Sequence, residues 1–189
     1  TDLLWMSEGS TSYFQAQLLL QADLITQKEF FEDLAKRIDG HLKKPGRKVQ
    51  SVAQSSHESW IAMPGDFATN NSVNIYSEGF MASLALDFKM LSDSKLKAGY
   101  SELHRELFKQ HRLPTPFNAQ DVQRIAKSLT NKSYADWWQK NIDAPLTVDF
   151  EQLLSKAGLE FIYPEKSKSI AATGFSSVDK SGLVTLSRV

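Results

Sequence analysis

The chain has 189 residues, 41% hydrophobic and 23% charged, proportions that suit one folded domain or a domain with part of a second. Its 22 basic and 22 acidic side chains cancel to a formal charge of +0, so no basic field points to nucleic acid and no charge bias to a membrane surface. There is no cysteine, which excludes disulfides, thiol catalysis and thiolate metal sites in this chain, and no apolar run approaches the roughly 20 residues that span a bilayer.

From Leu3 to about Ala22 the sequence reads as a helix, with strong helix formers from Gln15 to Gln21 and no proline. The Gly9-Ser10-Thr11-Ser12 run is weak helix chemistry inside it. Small residues there suit either tight packing of a neighbouring helix or close approach of a substrate backbone. Glu8 stands among Leu4, Trp5, Tyr13 and Phe14, and a carboxylate in such company is costly unless a cation or strong hydrogen bonds compensate it. Thr26 with Glu29 forms a capping box that predicts a helix from Gln27 to about Lys43, with Phe30, Phe31, Leu34, Ile38 and Leu42 as its core stripe, ended by Pro45-Gly46. Between Arg47 and Ile61, Ser56 is expected to cap a short turn that directs Trp60 inward; the segment leads toward a substrate groove or simply covers the core. Met63-Pro64-Gly65-Asp66 to Ser72 is turn-rich.

Asn74 to Phe80 opens another helix, which runs on through Met90. A further helix after Gly99 carries Leu103, Leu107 and Phe108 on one side, with His104 and His111 seven residues apart, about 10 Å along the axis, and therefore expected at the surface rather than on one ion. Asn118 caps a helix from Ala119 to about Leu129; a following helix to Ile142 buries Trp137 or Trp138, as core or as a substrate platform; a short one through Leu154 ends at Gly158. Then the pattern changes. Leu159 to Tyr163 alternates like a strand, Pro164 to Ser169 is polar, and Gly174-Phe175 and Gly182 to Leu186 carry turn and strand signals.

Three stretches carry a family resemblance. Leu4-Trp5-Met6-Ser7-Glu8-Gly9-Ser10-Thr11-Ser12-Tyr13 resembles the segment Leu-Trp-x-Ser-Glu-Gly-Phe-Thr-x-Tyr of the glycyl aminopeptidases, zinc metallopeptidases of the gluzincin type that usually bear a PDZ domain. Pro45-Gly46-Arg47 through Val52 is similar to a second segment of that family, and Tyr76-Ser77-Glu78-Gly79 to its Tyr-x-Lys-Gly pattern, with Glu78 in place of the lysine. The resemblance implies that Glu8 is the third zinc ligand and that Tyr76 donates to the oxyanion. Zinc would be the cofactor and peptides with a small N-terminal residue such as glycine the substrates. It also implies a preceding helix with His-Glu-x-x-His. The nearest string here, His57-Glu58-Ser59-Trp60-Ile61, has isoleucine at the second histidine's place and does not chelate.

The expected architecture is mainly α: an irregular multi-helix bundle over residues 1–158, the latter half of a gluzincin-like catalytic domain, followed at 159–189 by a β-rich end that begins a PDZ-like domain. As it stands the chain is expected to be inactive. The competing reading is a non-catalytic helical interaction module that keeps a peptidase scaffold and binds peptides, with the PDZ domain's help. For Tyr76 the plainer alternative is a half-buried tyrosine at a helix start, and for Glu8 a structural carboxylate.

Overall fold

The structure, a computed structural model, describes residues 1–61, 66–162, 175–180 and 183–188. Of the stretch Met63 to Ser72 read as turn-rich, residues 63–65 lie outside them and Asp66–Asn71 forms a short helix instead; the strand end at Tyr163, the segment Pro164 to Ser169 and the glycines Gly174 and Gly182 also lie outside them. The chain divides into two units, Thr1–Leu159 and Glu160–Val189.

The first unit is helical. Its elements are α1 (Leu4–Gln21), α2 (Gln27–Lys43), a 3-10 turn (Pro45–Lys48), α3 (Val52–Glu58), α4 (Asp66–Asn71), α5 (Ile75–Asp93), α6 (Tyr100–His111), α7 (Ala119–Thr130), α8 (Ala135–Asn141) and α9 (Phe150–Ser155). The second unit shows an antiparallel hairpin of β1 (Phe175–Lys180) and β2 (Leu183–Arg188), with Phe175 opposite Arg188 and Lys180 opposite Leu183. Residues 159–162 carry no regular structure, so the strand read from their alternation is not formed there.

The helix ends follow local chemistry. Thr26 Oγ1 accepts from Glu29 N while Glu29 Oε2 accepts from Thr26 N, the reciprocal cap its sequence predicts. Asn118 and Asp121 repeat the device at α7, whose far end is closed by Asn131 in the left-handed region. At the end of α9, Gly158 takes φ +73°, and Leu159 N returns to Leu154 O at 3.1 Å, using the freedom that a residue without Cβ allows.

The core is built around α5, which packs against α1, α2, α3, α6, α7 and α9. A central helix must be apolar on nearly every side, and the run from Gly79 to Leu86 is buried throughout. Trp5 is fully buried and meets Trp138 with ring centroids 5.9 Å apart, so of the tryptophan pair Trp138 goes into the core and Trp137 only partly. Phe30 and Phe31 are half-buried instead of core: they line an apolar cleft of about 400 Å³ together with Tyr13, Phe80 and Leu84. His104, expected at the surface, is wedged between Phe14 and Tyr100, at 5.2 and 4.6 Å between ring centroids. His111 is likewise half-covered, with Nδ1 2.8 Å from Pro116 O and Asp121 3.7 Å from Nε2.

Candidate active site

The site begins with two glycines. A Cβ placed on Gly9 of α1 would fall on the backbone of Gly79 in α5, and one placed on Gly79 would lie 2.8 Å from Gly9 Cα. The two helices therefore touch main chain to main chain. Each glycine follows a Ser-Glu pair, Ser7-Glu8 in one helix and Ser77-Glu78 in the other, so the crossing brings two carboxylates to the same place by different routes.

Glu8 is half-exposed beside the crossing, and no described lysine, arginine or histidine forms an ion pair with it. Its side chain faces Tyr76, one turn before Gly79 on α5. The Glu8 carboxylate raises the Tyr76 phenol above its ordinary range, chiefly through its charge, although the ring is 50% exposed. Glu8 and Tyr76, the two residues singled out from separate sequence motifs, are thus neighbours in space.

Glu78 behaves oppositely. It is 2% exposed, and its Oε2 accepts from His41 Nδ1 of α2 at 2.9 Å. Oε1 of Glu78 and Nε2 of His41 have no hydrogen-bond partner among the described residues. Where the resembling family has a lysine, this chain has a buried acid engaged by a histidine from another helix, and the His41 ring is backed edge-on by Phe150 at 5.4 Å.

The first turns of both helices are held by one segment. Ser56 Oγ of α3 accepts from Trp5 N at the start of α1, 3.0 Å away. Gln50 Oε1 accepts from Val73 N at 2.9 Å and Ser55 Oγ donates to Val73 O at 2.7 Å, so both backbone groups of the residue before Asn74 are gripped. Asn74 Oδ1 in turn accepts from Tyr76 N and Ser77 N. Residues Gln50 to Ser56 are therefore a bracket that fixes where Glu8 and Tyr76 begin their helices. The sequence flagged the stretch without showing this role, because Ser, Gln and Ser at such spacing reveal no partner. The expectation that Ser56 turns Trp60 inward is corrected: Ser56 is spent on α1, and Trp60 is 89% exposed.

Below the crossing, Asp87 ties three helices. Its Oδ2 accepts from Tyr13 Oη at 2.6 Å and its Oδ1 from Tyr100 N at 2.7 Å. Burial, then the Asp87 charge, pushes the Tyr13 phenol well up, and burial pushes Tyr100 up to about 12. Both remain neutral hydrogen-bond donors, and the Ser10 and Tyr100 hydroxyls share a bond of 2.7 Å.

As a zinc donor Glu8 fits in kind: a carboxylate with no cation of its own, on a rigid helix, beside a polar donor. It is one ligand, and no cluster of three or more His, Cys, Asp or Glu suited to a metal occurs among the described residues.

The fold is similar to that of the crystal structure of an aminopeptidase N family protein from Idiomarina loihiensis, with a TM-score of 0.77 over 85% of this chain and 23% identity; the match spans 28% of that protein's length. No curated protein matches the chain. The family model of the M61 glycyl aminopeptidases matches residues 1–82, the stretch that contains both Glu8 and Tyr76.

Proposed function

We propose that this chain is the Glu8- and Tyr76-bearing part of a zinc-dependent aminopeptidase that cleaves peptides with a small N-terminal residue. The observation that carries the reading is that the Gly9–Gly79 contact brings the Glu8 carboxylate close enough to Tyr76 for its charge to raise the phenol. In this reading Glu8 supplies one metal ligand, and a preceding His-Glu-x-x-His helix supplies the other two and the general base. Bound zinc would polarise the scissile carbonyl and lower the pKa of water.

Tyr76 would donate to the oxyanion that develops on that carbonyl. A phenol raised above its ordinary range stays protonated at neutral pH, so it is a donor and not a competing anion. An oxyanion beside Glu8 would be repelled by the bare carboxylate, and neutralisation of that charge by a divalent cation removes the conflict. Gln50, Ser55 and Asn74 hold the first turn of α5, and with it the backbone that carries Tyr76. Without the other ligands, residues 1–189 alone are proposed to be inactive, and residues 159–189 to begin a PDZ-like domain.

The test uses the full-length protein. Glu8→Gln should weaken zinc by at least the roughly 10–100-fold that even outer ligand partners contribute, read by elemental analysis. Unchanged zinc content removes Glu8 from the metal site. Peptide binding without hydrolysis in the zinc-loaded wild type would favour the non-catalytic interaction module instead.

A further inference from the structure

We infer that the cleft between the C-terminal half of α2 and the first turns of α5 is a carboxylate-binding subsite, formed by Lys36, Arg37 and Lys44 around the bare backbone of Gly40, and that it takes the free C-terminal carboxylate of a short peptide lying across Tyr76. The identity of the occupant rests on the peptidase reading above. The anion chemistry of the cleft does not.

The cleft has a volume of about 320 Å³, enough for the end of a peptide, and it opens between α2 and the side of α5 that presents Ser77 and Phe80. Its charge is lopsided. Along α2, Lys28 pairs with Glu32, Arg37 with Asp33 and Lys43 with Asp39, each across one helical turn. Lys36 and Lys44, both in the cleft wall, form no ion pair among the described residues. Gly40 stands at i+4 from Lys36 and i−4 from Lys44, so the position between the two lysines offers no acid to either. The acids one turn from Lys36, which are Glu32, Asp33 and Asp39, pair with Lys28, Arg37 and Lys43 instead.

Gly40 has no packing reason to be glycine. Nothing lies within 4 Å of where its Cβ would stand, unlike Gly9, Gly46 and Gly79, each pressed against backbone. A glycine inside an exposed helix costs stability relative to alanine. What it provides here is open main chain between two ammonium groups. The acids nearest the cleft are already committed, Asp33 to Arg37 at 2.6 Å and Glu78 to His41 at 2.9 Å, and the Arg37 guanidinium lies over the Phe80 ring at 4.7 Å, which fixes it against the cleft wall. Asp33 and Arg37 offset each other, so the unpaired charges of the cleft wall are those of Lys36 and Lys44.

Ser77 adjoins Tyr76 in sequence, so the cleft starts next to the proposed oxyanion donor. An extended peptide advances roughly 3.3–3.6 Å per residue. The occupant we assign is therefore a short extended peptide, with its terminal carboxylate among Lys36, Arg37 and Lys44.

The probes are Gly-Ala-Ala with a free C-terminus and its C-terminal amide, titrated against this chain while backbone amide NMR shifts are recorded. The free acid is expected to move Lys36, Gly40, Lys44 and Ser77 to saturation, and to bind about tenfold more tightly than the amide, the worth of one charge-assisted bond. Lys36→Gln with Lys44→Gln should bring the two affinities together. Gly40→Ala should weaken the acid while the protein becomes more stable, which separates a binding role from a folding one. Equal affinity of acid and amide for the wild type, or no movement at Gly40 and Ser77, overturns the subsite. If those residues move with the acid while Glu8 and Tyr76 do not, the subsite stands and the peptidase reading loses its support.

Discussion

His104 shows what a single side chain can cost. Burial against Phe14 and Tyr100 drops its pKa from 6.5 to about 4, and its Nε2 has no hydrogen-bond partner among the described residues. Between those two values the unfolded chain binds a proton that the folded chain refuses. The contribution to stability is therefore complete above pH 6.5, falls as pH drops toward 4, and levels off below. The loss should be on the order of 1–3 kcal/mol across that window. Urea midpoints measured at both ends should differ less for His104→Gln than for wild type. Carboxylates that protonate in the same range affect both proteins and cancel in the comparison. Tyr76 makes the other prediction at this scale: in the full-length enzyme Tyr76→Phe should lower kcat by about 100–1000-fold with little change in KM, the behaviour of a donor used only in the transition state. Steady-state kinetics on a glycyl peptide substrate would decide it.

At the level of elements, the α1–α5 pair depends on having no side chain at its crossing. Gly79→Ala would press a methyl into Gly9 and Trp5 of α1, and the helices can yield only by separating. A destabilisation of about 1–3 kcal/mol or more is expected, measured as a lower urea midpoint, together with loss of the Glu8 effect on Tyr76. Gly40→Ala goes the other way, with about 0.5–1 kcal/mol gained because nothing occupies the space and the unfolded chain loses freedom. The small residues of α1 and the caps of α2 and α7 were legible in the sequence, because such signals are written within four or five residues of chain. What faces them was not. Glu78 occupies the place of a family lysine, yet its burial depends on His41 in another helix. Likewise Gln50 and Ser55 show their purpose only once Val73 is seen between them.

Across the whole helical unit, the mainly α architecture follows from the sequence because long segments carry helical periodicity, whereas the choice of α5 as hub does not. Its nearly uniform apolarity reads equally as a buried helix or a poorly patterned one, and only the six helices around it decide. A hub of this kind opens last. Amides from Phe80 to Met90 should exchange with solvent only through global unfolding, with an exchange free energy equal to that from denaturant melts, while the amides of α9 exchange sooner. Native-state hydrogen exchange at increasing urea would check the ranking. Glu8 and Tyr76 were both singled out from motifs, and their role stays a proposal. Their adjacency comes from the packing of the hub.

With main chain resting on main chain at Gly9 and Gly79, the separation of the two backbones that carry acid and phenol is set by two rods in contact. Such a hinge-free joint divides the protein into parts that tolerate change very differently. The rim around it can be rewritten at little mechanical penalty, while one added carbon at either glycine would pry the two helices apart.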